Sequence, residues 1–167
     1  MTKVTLESIK EMATGQIDKI YLHWAAGRYG QFFDDYHINI DEDGSFFISC
    51  DNFTELKAHT WHRNTGAIGI ALACCYGGTS NNLGDYPPTA LQIEAIAQVV
   101  ATLCSAYGIE CTKDNVMTHA EAANLDGYGP NSTWERWDLW FLSNGATPGS
   151  GGDILRGKAI YYQGVGA

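Results

Sequence analysis

The sequence predicts an α/β (α+β) layer fold, a central mixed sheet flanked by helices, and three stretches carry that expectation. Residues 17–25, "IDKIYLHWA", alternate as a strand does. Residues 67–75, "AIGIALACC", run apolar without a break, and residues 89–108, "TALQIEAIAQVVATLCSAYG", repeat with helical spacing between two end signals. At 167 residues the chain suits one domain and can bury about 70% of the surface of its unfolded form.

Taken in order, "TLESIKEMA" (5–13) predicts a short leading helix. In 17–25, Ile20, Leu22 and Trp24 share one face of a strand and Tyr21, His23 and Ala25 the other. "YHINI", "DEDG" and "SFFIS" predict a hairpin, with Gly44 supplying the positive φ of its turn. The run at 67–75 belongs near the centre of the sheet, where both faces are covered. In 89–108, Thr89 and Gln92 fit a capping box, seven residues from Ile93 to Tyr107 form the apolar stripe, and Gly108 is the stop. "NVMTH" (115–119) predicts a short strand that delivers His119 at its end. "WERWDLWFL" (134–142) predicts a helical turn or short helix. The core is expected over about 17–142, followed by a Gly/Ser-rich connector at 143–153 and a terminal element at 154–167, all in one domain.

Composition narrows the functions. The formal charge is −9, which opposes nucleic acid as a partner because phosphate binding needs a basic surface. No stretch reads as a membrane span or as the apolar segment of a secretion signal. Five cysteines without regular spacing, Cys74 and Cys75 among them in the apolar run, read as reduced buried thiols rather than as a metal knuckle. A thiolate nucleophile at Cys74 or Cys75 is disfavoured by the same apolar setting.

The histidines matter more for the company they keep. His23 sits in a buried-looking strand, His119 ends another, and four acids follow it: Glu121, Asp126, Glu135 and Asp138. Two histidines and one carboxylate, with a position left for water, form a recognised catalytic zinc set.

In sequence order, "IYLHWAAG", "YHINIDEDGSFF", "HTWHRNTGAIGIAL", the capped helix with its preceding "PP", and "VMTHAEA" resemble the zinc-dependent N-acetylmuramoyl-L-alanine amidases. That superfamily includes phage lysins and animal peptidoglycan recognition proteins, and the resemblance spans about residues 17–140. It implies an amidase-like single domain, one Zn2+ held by His23 and His119, and hydrolysis of the bond between N-acetylmuramic acid and L-alanine in peptidoglycan. It also implies Tyr36, and a basic residue two positions before the third ligand, as helpers at the reacting carbonyl. Asp138 is the favoured third ligand because Arg136 then takes the basic position, which makes "EAANLDGYGPNSTWE" (121–135) an inserted loop. Asp126 is the alternative, although its setting in "LDGYGP" is explained by turn chemistry.

His62 matches the family's histidine before "IGI", as an oxyanion or substrate contact. Glu121 and Glu135 read as loop or helix-end acids, with Glu121 a candidate outer partner of the metal set. Trp24, Tyr29, Trp61, Tyr128 and Trp134 are candidate walls for glycan or peptide, with Trp24, Trp61 and Tyr128 preferred. His37 and His59 are given no role. The expected partner is peptidoglycan or a muropeptide, reached by a protein made in the cytoplasm that acts on the wall after release, as a lysin does, or on wall fragments inside the cell. A module that binds muropeptide without cutting it is the alternative.

Overall fold

A computed structural model describes residues 1–165. In chain order the elements are β1 (Thr2–Val4), α1 (Leu6–Met12), β2 (Lys19–Trp24), β3 (Ile38–Ile40), β4 (Phe46–Ile48), β5 (Ala67–Leu72), α2 (Ala90–Tyr107), β6 (Val116–Thr118), α3 (His119–Asp126) and α4 (Ser150–Val165). The strands form one sheet in the order β1-β4-β3-β5-β2-β6. β5 runs parallel to both β3 and β2, and β2 parallel to β6, while β4 is antiparallel to β3 and β1. The sheet is therefore mixed, and its parallel half carries the C-terminal ends of β2, β5 and β6 to one edge.

The alternation in β2 sorts its side chains as their period requires. Ile20 and Leu22 enter the main core with Ile68, Ile70, Ile96, Val99 and Val100. Tyr21 turns to the other face, where it packs with Ala67, Met117 and Ala122. His23 follows Tyr21 to that second face. Every residue of β5 is buried, as its unbroken apolar run demands.

α2 covers the core face. Its capping box closes as the sequence predicts, and Gly108 ends it in the left-handed conformation, its N–H donating to the Cys104 carbonyl. The Gln92 amide donates to the carbonyls of Ile40 and Ala73, fixing the first turn against β3 and the end of β5. The length and mean hydropathy of α2, 1.3, would suit a membrane span, but half of it is buried inside the fold, where it packs against α1 and α4.

Four elements differ from expectation. β1 forms from a polar stretch because it completes the edge beside β4, Thr2 opposite Ile48. Residues 120–126 are helical rather than loop: Thr118 accepts from the Glu121 N–H and the Glu121 side chain accepts from the Thr118 N–H, a capping box that starts α3. Residues 134–142 make no helical turn, since Trp134 and Leu139 adopt positive φ (66° and 57°) while Leu139, Phe141 and Leu142 enter the core. The expected connector at 143–153 ends early, because α4 starts at Ser150. Gly151 and Gly152 permit that start: a Cβ on Gly151 would meet the Leu139 carbonyl and one on Gly152 the Glu121 carboxylate. Of the predicted terminal element, residues 166–167 lie outside the described residues.

Candidate metal centre

His23 is the fifth residue of β2, and His119 follows β6 directly. The parallel register pairs Leu22 with Thr118, so the next residue of each chain is a histidine at the same level of the sheet edge. This is the carboxyl edge of the parallel strands, where open α/β sheets bind ligands. His119 opens α3, with Thr118 as its N-cap. Asp138 arrives on the irregular segment after α3, anchored by the buried Leu139 beside it and by its own carbonyl, which accepts from the Ala120 N–H.

The three side chains converge. His23 Nδ1 lies 3.2 Å from His119 Nδ1, and Asp138 Oδ2 lies 3.6 Å from the first and 3.5 Å from the second. A tetrahedral zinc with metal–ligand bonds near 2.0–2.1 Å would separate its ligands by about 3.4 Å. The three observed edges bracket that length. All three residues are buried, and among the described residues they are the group of His, Cys, Asp and Glu side chains that could hold a metal ion.

Electrostatics supports the same charge state. Burial takes His23 down to about 4, against the opposing hydrogen bond to Asp138, so its imidazole is neutral at neutral pH. Burial pushes the Asp138 carboxyl up, but the hydrogen bonds to His119 and His23 outweigh it and hold the acid below the usual carboxylate range. Two imidazole nitrogens and one carboxylate oxygen thus face one point, a donor set that suits a divalent cation.

The remaining ring nitrogens point away from that spot. His23 Nε2 lies 3.4 Å from Thr60 Oγ1, and His119 Nε2 lies 3.4 Å from the Tyr128 hydroxyl. Such outer contacts orient ligating imidazoles.

A cleft of about 810 Å³ reaches the centre at His119. Trp61, His62, Tyr128, Glu135 and Arg136 are among its walls. Trp61 stacks on His62 at 3.8 Å between ring centroids and meets Tyr128 edge-on. His62 itself is exposed and holds a positive φ of 59°. Tyr36 stands beside His23, ring centroids 4.9 Å apart, outside the cleft wall. Burial, reinforced by the Asp138 charge, raises its hydroxyl above the ordinary tyrosine value and keeps it protonated.

Several expected residues lie elsewhere. Asp126, the alternative ligand, ends α3 and receives two hydrogen bonds from Arg63, at 2.7 and 2.8 Å, tying α3 to the loop that carries Trp61 and His62. Trp24 packs against the main core, as its place on the Ile20 face requires, and forms no part of the cleft wall. Tyr29 bonds to the Pro87 carbonyl and packs on Tyr86, and Trp134 packs with Trp137 in a separate groove. The Glu121 carboxylate bonds elsewhere than to His119: it receives a two-pronged bond from Arg156, at 2.8 and 2.9 Å.

His37 is a satisfied core histidine, accepting from the Gly69 N–H at Nδ1 and donating from Nε2 to the Glu55 carbonyl. His59 and Thr60 are the residues that sequence reasoning passed over. Both are buried beside His23, in a segment whose sequence carries no periodicity to mark them.

Residues 13–135, well over half the chain, match the family described as N-acetylmuramoyl-L-alanine amidase. No curated protein matches. Solved structures with similarity include the endolysin N-acetylmuramoyl-L-alanine amidase LysCS of Clostridium intestinale, at 19% identity over 74% of this chain and 86% of that one, with a TM-score of 0.49. The amidase LysC of the same organism gives 18% identity, 74% and 87% coverage and a TM-score of 0.48. PGRP-SA of Apis mellifera gives 15%, 64% and 73%, and 0.47.

Proposed function

The chain belongs to the N-acetylmuramoyl-L-alanine amidase family, and on that premise we propose that it hydrolyses the amide between the lactyl group of N-acetylmuramic acid and the L-alanine of the peptidoglycan stem peptide, using one zinc ion. The observation that carries this reading is the convergence of His23 Nδ1, His119 Nδ1 and Asp138 Oδ2 within 3.6 Å of one another at the head of a cleft. His23, His119 and Asp138 would hold the ion. When bound, zinc supplies a Lewis acid and a water whose pKa falls to about 7.

The chain's own groups would do the rest. Arg136 offers a permanent cation on the cleft wall to the charge that develops on the carbonyl oxygen, acting by hydrogen bonds and field because guanidinium does not give up its proton. Tyr36, protonated and beside His23, is the candidate to pass a proton to the leaving amine. His62 and Trp61 present a stacked polar and apolar surface to the substrate, and Tyr128 both orients His119 and closes the opposite wall. Such an enzyme fits a lysin or a hydrolase of wall fragments.

The test is digestion of purified peptidoglycan with zinc-loaded and chelated protein, followed by identification of the newly exposed ends. Loaded protein should release stem peptides with a free L-alanine amine, and chelated protein should release none. A protein that retains muropeptide yet frees no amine would be a binding module instead.

A further inference from the structure

We propose that Thr60 and His59 form a hydrogen-bond relay that fixes the tautomer and ring orientation of His23, which makes Thr60 a positioning residue for the metal centre. The inference rests on the reading of His23 as a zinc ligand and extends it to two residues outside the ligand set.

Thr60 Oγ1 lies 2.9 Å from His59 Nδ1 and 3.4 Å from His23 Nε2. His23, His59 and Thr60 are all buried, at 0%, 6% and 1% exposure, so solvent cannot substitute for any of these contacts. A hydroxyl has one proton to give, and a neutral imidazole has one N–H and one lone pair. With the hydroxyl proton donated within the relay, two directions are open. In one, His23 donates from Nε2 to Thr60, Thr60 donates to His59 Nδ1, and the His59 proton sits on Nε2. His23 Nδ1 then keeps a lone pair facing His119 and Asp138. In the other, every donor reverses and the His23 proton lands on Nδ1, on the spot a cation would occupy.

The hydroxyl selects the first direction. Among the described residues Thr60 Oγ1 has His59 Nδ1 and His23 Nε2 as its side-chain partners, so once it accepts from His23 its own proton goes to His59 Nδ1. A His23 ring that offers Nδ1 to a metal carries its proton on Nε2, facing Thr60. The segment is held firmly. The backbone N–H groups of His59 and Thr60 both donate to Asn64 Oδ1, at 3.1 and 2.7 Å, and the His59 ring fills the space above Gly69, where a Cβ would lie 2.6 Å from its Cγ. His37, whose two nitrogens are already satisfied, does not compete.

The test uses the full chain and two measurements. Zinc affinity is read by competition with a chromophoric chelator, and the protonated nitrogen of His23 is read in metal-free protein from ring 15N shifts. Thr60→Val should weaken zinc binding by about 10–100-fold, the cost typical of losing an outer partner of a ligand. It should also lose the Nε2–H signature of His23, whereas Thr60→Ser should restore both. Wild-type affinity together with an unchanged His23 tautomer in Thr60→Val would overturn the relay. If wild-type protein takes up no zinc, the metal reading falls, and the ring-nitrogen spectra still decide the relay. Should Thr60→Val fail to fold, His59→Asn, whose amide oxygen can accept from Thr60, should keep the affinity that His59→Leu loses; equal affinities would overturn the relay as well.

Discussion

At the scale of single residues, two acids with similar credentials in the sequence end in opposite places. Asp138 is buried against two imidazoles, whereas Asp126 is spent on Arg63 at the end of α3. Asp138→Ala should abolish zinc retention, measured by metal analysis after dialysis. Asp126→Ala should leave one equivalent bound, and the reverse result would move the third ligand to Asp126. The two histidines of the centre were legible because each ends an apolar stretch whose period decides which face it takes. His59 and Thr60 were not, since their importance lies in a chain of donors and acceptors crossing from a loop to β2. Trp24 shows the opposite error: its place on the Ile20 face already assigned it to the core.

Among the elements, α2 was readable to the residue, since its caps and stripe are local, whereas α3 and α4 depend on each other. Arg156 of α4 bonds to the Glu121 carboxylate of α3 and to the Val116 carbonyl of β6, and so holds the β6–α3 junction that presents His119. Glu121 and Arg156 are 4% and 6% exposed, so removing one partner strands a buried charge. Arg156→Met should cost about 3–5 kcal/mol in urea unfolding, and adding Glu121→Gln, which can still accept from the Thr118 N–H, should recover most of it. A single-variant loss below about 1 kcal/mol would show that the pair behaves as an exposed one. Without Gly151 and Gly152 this junction would not close, and a Gly/Ser-rich stretch read locally gives no hint of it.

For the whole molecule, the charge of −9 sets how the protein meets a polymer. Walls bearing anionic polymers should repel it at low salt, where the screening length is about 30 Å at 0.01 M, and repel it much less at 0.15 M, where it is about 8 Å. Amide hydrolysis of intact walls should therefore rise several-fold over that range, while a small neutral muropeptide should be cut at a constant rate; parallel salt curves for both would discount the charge. By itself the sequence determined the mixed sheet, the long core helix and the strand ends that carry His23 and His119, because period, capping and apolar runs act between near neighbours. Only the tertiary structure decided that Asp138 rather than Asp126 faces those imidazoles, and that Thr60 and His59 stand behind His23. Those outcomes depend on distances between segments far apart in the chain, which local propensity does not encode and close packing alone fixes.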